Sequence, residues 1–164
     1  MSNVTFDVKI EELPEKIALF PLDQVILFPR ACLPLNIFEP RYIQMIEDAF
    51  TNKRLIGIIQ PQTNIQHDEK TPHPVFSTGC VGRITHLSET ADGRFHIDLV
   101  GVCRFDIVEE CAQKDGQLYR TASVNWSNYA HDLIPENNPE INKDKIIPIL
   151  KAYLDKMDMC CDKW

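Results

Sequence analysis

Read for its apolar and polar positions, the chain changes period several times. Lys16 to Phe20 (KIALF) is a short apolar run that fits a strand, and Pro21 ends it. Val25 to Phe28 (VILF) is again apolar and β-favouring, and Pro29 follows directly. Leu33 to Ile37 alternates around Pro34, which fits an edge strand, because proline cannot donate to a ladder. A helix is predicted from Pro40, whose missing N–H costs nothing at the first helical position. Tyr42, Ile43, Met45, Ile46, Ala49 and Phe50 then recur at helical spacing, leaving Arg41, Gln44, Glu47 and Asp48 for solvent. Thr51-Asn52 marks its end, and Leu55 to Gln60 reads as a buried strand.

The β signal is strongest from Gly79 to Asn125. Thr90-Ala91-Asp92-Gly93 is a hairpin turn, with Asp-Gly supplying positive φ angles. Beyond it Phe95, Ile97, Leu99, Gly101, Cys103, Phe105 and Ile107 share one parity. His96, Asp98, Arg104 and Asp106 share the other, with Val100 and Val102 among them. Alternation over such a length exceeds an ordinary strand, so the strand must coil, with a bulge or bend expected at Gly101. Lys114-Asp115-Gly116 makes a second turn, and Leu118 to Trp126 returns as a strand.

The remaining stretches read as connections and one late helix. Pro61 to Pro74, polar and proline-marked, is expected to be a mobile surface loop, with His67 and His73 as solvated residues. Residues 127–141 form a polar connection. From Asn142 a stripe of Ile146, Leu150, Tyr153, Leu154 and Met157 predicts a helix, with a kink or restart at Pro148. The chain stops at Cys160–Trp164 within that pattern, which suggests a truncated segment. The expected organisation is a β-barrel-like domain over 1–126 (core 16–126), then a linker and C-terminal helical segment over 127–164. The fold class is mixed α+β, mainly β: a pseudo-barrel of about six strands with one early inserted helix and a C-terminal helix.

Composition narrows the function. With 17 basic and 24 acidic residues, the net charge of −7 works against phosphate neutralisation, so nucleic acid is an unfavoured partner. No apolar stretch approaches the ~20 residues that span a bilayer. The opening MSNVTFDVKIEELPEK is acidic where a secretory leader starts basic, so a cytoplasmic location is expected. The cysteines at 32, 80, 103, 111, 160 and 161 form no C-x-x-C and no zinc-spaced set; reduced thiols, no metal and no cofactor are expected.

The segment IALFPLDQVILFPRACLPLNIFEPRYIQMIEDAF resembles the opening of the Lon protease N-terminal, substrate-binding domain. The matching elements are Phe20-Pro21-Leu22, Phe28-Pro29 and Pro34-Leu35-Asn36-Ile37-Phe38-Glu39-Pro40-Arg41-Tyr42. Gly79-Cys80-Val81-Gly82-Arg83-Ile84 and Leu99-Val100-Gly101-Val102-Cys103-Arg104-Phe105 extend the likeness over roughly 16–126. The resemblance implies a PUA-like pseudo-barrel followed by a helical part. It also implies a non-catalytic module that binds unfolded or extended polypeptide, or a protein partner, with oligomers allowed. The glycines at 57, 79, 82, 93, 101 and 116 form no phosphate loop, and no serine sits in a recognisable nucleophile motif, so Lon-type peptidase activity is not expected.

Candidate peptide-binding residues are Phe28, Leu33, Leu35, Phe38, Tyr42, Arg83 and Arg104. Proline-rich edges with apolar neighbours suit an added strand, although most of these side chains are expected in the core. Glu39 is expected to serve the helix start, and Arg104 to pair with Asp98 or Asp106 or to line a pocket. Two alternatives stand beside this reading. One is an RNA-binding PUA-like module, by fold analogy alone. The other is a small-molecule or hydrolytic pocket, with Cys80–His86 or Cys103–His96 meeting across strands.

Overall fold

The computed structural model describes residues 8–63, 72–134 and 143–156, and the chain divides into two units, Met1–Ile134 and Pro135–Trp164. The first unit holds β1 (Lys16–Pro21), β2 (Cys32–Ile37), α1 (Pro40–Thr51), β3 (Leu55–Ile59), β4 (Thr78–Glu89), β5 (Phe95–Cys111) and β6 (Arg120–Asn125). A short 3-10 turn, Ile10–Glu12, precedes β1, and a 3-10 segment, Ser127–Leu133, follows β6. In the second unit α2 (Lys143–Lys156) runs through Pro148. The centre of the expected 61–74 loop, Met157 and Cys160–Trp164 lie outside the described residues.

The six strands follow the order β2-β5-β4-β3-β1-β6, and β5 also pairs with β6. That second pairing closes β5, β4, β3, β1 and β6 into a ring, with β2 as an outer strand attached to β5. β1 and β3 are parallel, joined through β2 and α1; the other pairs are antiparallel.

The 17-residue β5 serves three partners because it is bulged. Val81 faces Cys103 while the next residue, Gly82, faces Gly101, leaving Val102 over. A second shift leaves Val108 over between Ile107 and Glu109. Each bulge bends the strand and tightens its twist, so the N-terminal part lies between β2 and β4 and the C-terminal part reaches β6. The bend falls at the expected glycine. Its consequence is that Val100 and Val102, on the polar parity of the sequence pattern, are buried.

Both faces of β1 and β3 are covered. Ile17, Leu19, Leu55 and Ile59 join Val81, Cys103, Phe105 and Trp126 in one cluster; Phe20, Ile56 and Ile58 join Tyr42, Met45 and Ile46 in another. A strand buried on both faces needs a continuous apolar run rather than alternation, which is what LIGII supplies. α1 adds Tyr42, Met45, Ile46 and Ala49 to the core, and Phe50 stays exposed with the Arg54 guanidinium 5.2 Å from its ring. Gln44 ties the helix to the β5–β6 turn, donating to the Gly116 carbonyl at 2.8 Å and accepting from Leu118 N–H at 2.8 Å. Tyr119 donates to Asp48 at 2.8 Å; burial first, then that carboxylate, pushes its hydroxyl pKa up to about 12.

One apolar run is not a strand. Val25–Phe28 is a loop bracketed by two non-glycine residues in the left-handed region, Gln24 (φ 60°) and Arg30 (φ 67°). The backbone turns where a strand would continue, because Arg30 N–H donates to Gly101 O at 2.7 Å and Gly101 N–H to Ala31 O at 2.9 Å. A Cβ at position 101 would stand 2.1 Å from the Phe28 carbonyl oxygen, so only glycine admits the loop there.

Candidate functional site

A cleft of about 320 Å³ opens between this loop, the end of β3 and the start of β4. Val25, Leu27, Ile58, Ile59 and Cys80 give it an apolar lining, and Gln60, Ser77, Thr78 and Arg104 add polar groups. Three large side chains on it face solvent: Ile26 is 65%, Phe28 63% and Phe76 51% exposed. Exposed apolar side chains are ordinary when scattered, but a group of them around a concave apolar site marks a binding surface. Gln60 Nε2 donates to the Val25 carbonyl at 3.4 Å, and Leu22 N–H to Ile59 O at 2.9 Å, so the loop rests on β3 as well as β5.

Arg104 reaches the cleft from β5 and is held from behind. Its Nε and Nη2 donate to the two carboxylate oxygens of Asp132, at 2.9 and 2.8 Å, and its own backbone N–H donates to the same carboxylate at 3.0 Å. Its guanidinium lies 4.7 Å from the Tyr129 ring, and Nη2 is 2.8 Å from His131 Nε2. Burial pushes the Asp132 carboxyl upward, but the Arg104 bonds outweigh it and hold the group below its ordinary value. This partner comes from the 3-10 segment, not from the expected Asp98 or Asp106. Asp106 instead accepts from Thr78 (2.7 Å), Asn128 (3.0 Å) and Tyr129 (2.9 Å), which overcome its burial and lower its pKa.

The sequence-derived candidates scatter. Phe28 and Arg104 line the cleft together. Leu33 and Leu35 are half-buried against the α1-side core. Tyr42 is 7% exposed, its ring 4.1 Å from that of Phe20, so it packs in the α1-side core. Phe38 is exposed elsewhere, with the Arg94 guanidinium 6.0 Å from its ring. Arg83 is half-buried on β4 opposite Leu55 and Val100, outside the cleft lining. Glu39 does stand at the helix start, where its carboxylate accepts from Arg41 at 2.9 Å. No local pattern marks Ile26, Phe76 or Asp132 as site residues; only the folded chain brings them to Phe28 and Arg104.

The proposed cysteine–histidine pairs do not form. Cys80 and His86 both lie on β4, and Cys103 and His96 both on β5, so neither pair meets across strands. At ~3.3 Å per residue such separations are about 20 Å or more along the strand. Burial pushes both thiols up to about 12, which leaves them protonated and poor nucleophiles.

Among the described residues β2 pairs on one side only, and Pro34 in its middle offers no N–H to an incoming strand. Such an edge resists strand addition. Among the described residues no helix is long and apolar enough to cross a membrane, and no His, Cys, Asp or Glu group gathers as a metal site.

The model of the ATP-dependent protease La (LON) substrate-binding domain matches residues 16–160. The chain is 28% identical over 142 residues to a Lon protease of Flavobacterium johnsoniae, covering 87% of this chain and 16% of that protein. It is 30% identical over 104 residues to a Lon protease of Parabacteroides distasonis, covering 63% of this chain and 12% of that protein. Among solved structures, it is similar to a Lon N-terminal domain protein from Xanthomonas campestris, with a TM-score of 0.56 and 22% identity over 87% of this chain and 72% of that one. The N-terminal domain of a Mycobacterium avium complex Lon protease gives a TM-score of 0.54 at 14% identity, over 87% and 69% of the two chains. The chain thus spans about a sixth or less of the length of these proteases, and the structural likeness is one of fold.

Proposed function

The chain belongs to the ATP-dependent protease La (LON) substrate-binding domain family, and from that premise we propose that it is a non-catalytic module that holds extended, apolar segments of polypeptide in the cleft between Phe28 and Phe76. The observation that carries the reading is the cleft itself. Ile26, Phe28 and Phe76 keep large apolar surfaces in water around a 320 Å³ concavity, at a standing cost in solvation. Covering such side chains recovers roughly 1.5–3 kcal/mol each. Gln60, Ser77 and Thr78 offer polar groups beside the apolar floor, which suits a chain whose backbone amides still need partners.

The reading also accounts for the acidic charge, since an apolar cleft needs no phosphate-neutralising surface. The test is fluorescence anisotropy with a labelled, reduced and alkylated model polypeptide that cannot fold. The wild-type chain is expected to bind it and to ignore the unmodified, disulfide-bonded and folded polypeptide of the same sequence. Phe28→Ala and Phe76→Ala are each expected to weaken binding by about tenfold, since ~1.4 kcal/mol is one decade. Absence of binding by the wild type, or wild-type affinity in both variants, refutes the proposal.

A further inference from the structure

We infer that Arg30 is the positioning residue of the cleft: it clamps the Phe28 loop to the 3-10 segment that also holds Arg104, and so ties two parts of the lining together. The inference rests on the polypeptide-binding reading of this cleft and adds the device that shapes it.

Four observations converge on this residue. Arg30 sits in the left-handed region at φ 67°, a conformation that a non-glycine residue keeps only when its surroundings impose it. Its backbone N–H donates to the Gly101 carbonyl at 2.7 Å, which fixes the loop to the bend of β5. Its guanidinium Nη2 donates to the carbonyl oxygens of Asp132, at 3.2 Å, and of Ile134. The Asp132 side chain meanwhile takes the guanidinium of Arg104, which also lines the cleft.

The 3-10 segment is thus grasped twice. Arg104 holds the Asp132 side chain, and Arg30 holds the backbone carbonyls around it. Arginine suits the second task because a single Nη2 carries two N–H donors, one for each carbonyl. The apolar rim has no ladder of its own, since Val25–Phe28 is unpaired. Its position therefore depends on what anchors its ends. At one end Gln24 carries the other positive φ, 60°, and Gln60 holds the neighbouring Val25 carbonyl through a single long bond. At the other end stands Arg30. Without its guanidinium the loop keeps the strained backbone but loses the contact that holds it closed. The binding-ready arrangement then becomes one population among several, and the apparent dissociation constant rises by the inverse of its fraction.

The test compares Arg30→Ala, Arg30→Lys and wild type in the full chain. Amide hydrogen exchange reads the loop directly. Anisotropy with the unfolded, alkylated polypeptide reads the cleft, and thermal unfolding reads the fold. Arg30→Ala is expected to speed exchange at the amides of positions 30, 31 and 101, whose hydrogen bonds close the loop and pin it to β5, and to weaken binding about tenfold, with little change in melting temperature. Arg30→Lys, which keeps the charge on a shorter side chain without the planar guanidinium, is expected to fall between. Arg94→Ala, which removes a charge at the β4–β5 turn, is expected to match wild type in all three.

Unchanged exchange at the loop in Arg30→Ala overturns the clamp, whether or not the polypeptide binds. Faster exchange with unchanged affinity overturns its role in the cleft. No binding by wild type refutes the polypeptide reading, while the exchange arm still decides the clamp. Should Arg30→Ala fail to fold, Arg30→Lys carries the same two readouts, and wild-type exchange and affinity in it overturn the inference.

Discussion

Phe20-Pro21 and Phe28-Pro29 are the same dipeptide, each closing an apolar run, and the fold treats them oppositely. Phe20 is 4% exposed in a two-faced strand; Phe28 is 63% exposed at the rim of a cleft. Around Phe20 the chain pairs on both sides, with β3 and with β6. Around Phe28 it joins no strand among the described residues and is held by Gly101, Gln60 and Arg30. Hydrophobicity alone therefore does not decide burial. What decides is whether the neighbouring strands leave both faces of the segment a partner, and at the loop the bend of β5 at Gly101 does not.

Truncating the two rings breaks this comparison most sharply. Phe20→Ala opens a cavity beside Tyr42 and is expected to cost about 3–5 kcal/mol in chemical denaturation. Phe28→Ala removes a ring already in water and is expected to stay within about 0.5 kcal/mol of wild type, while losing affinity for unfolded polypeptide. Equal destabilisation by both would show that the loop belongs to the core after all.

Gly101→Ala attacks the contact that makes the two regions differ. The added methyl would lie 2.1 Å from the Phe28 carbonyl oxygen and 3.2 Å from Pro29 Cα, both backbone atoms that cannot rotate away. The loop must lift, at a cost of about 1–3 kcal/mol. Gly93→Ala, by contrast, meets no atom within 4 Å and carries only the strain of its φ of 78°, expected at about 1 kcal/mol.

The acid limb of the stability curve probes the wall behind the cleft. Asp132 has a pKa lowered in the folded state, despite the upward push of burial. A depressed carboxyl binds fewer protons folded than unfolded, so its stabilisation is present above the unfolded value of ~3.9 and is lost as pH falls through the folded one. Asp132→Asn is expected to cost about 2 kcal/mol at neutral pH and to flatten the fall in stability below pH ~4. A variant that unfolds in acid along the wild-type curve would remove Asp132 from that account.

Much of the barrel was legible from spacing. Period-two alternation marked β5, Asp-Gly and Lys-Asp-Gly its turns, and Pro40 the start of α1. The errors share one cause. Val100 and Val102 sit on the polar parity but are buried, because the bulge resets the alternation within one residue. Asp132 could not be matched to Arg104, since the pair spans 28 positions and a bent strand. Phe76 sits between prolines and serine with no periodic context. Its partner Phe28 was visible as an apolar residue, but its exposure depends on the close approach at Gly101, a three-dimensional fact. Local pattern fixes elements, and the cleft is made by contacts between them.

Thiol chemistry supplies the gentlest measure of the loop. Cys32 is exposed at the start of β2; Cys80 is buried in the cleft wall together with Leu27, its thiol pushed up to about 12 by burial. A small alkylating reagent at pH 8 is expected to label Cys32 within minutes and Cys80 far more slowly, as mapped by mass spectrometry of peptides. If Val25–Phe28 lifts as a unit, Cys80 labelling should accelerate in Arg30→Ala while Cys103, held 3.5 Å from the Tyr129 carbonyl on the other side of β5, stays slow. Bound polypeptide should slow Cys80 in the wild type without touching Cys32. Acceleration of Cys80 and Cys103 together would mean that the whole barrel opens, and that the exposed and buried Phe-Pro segments move as one body.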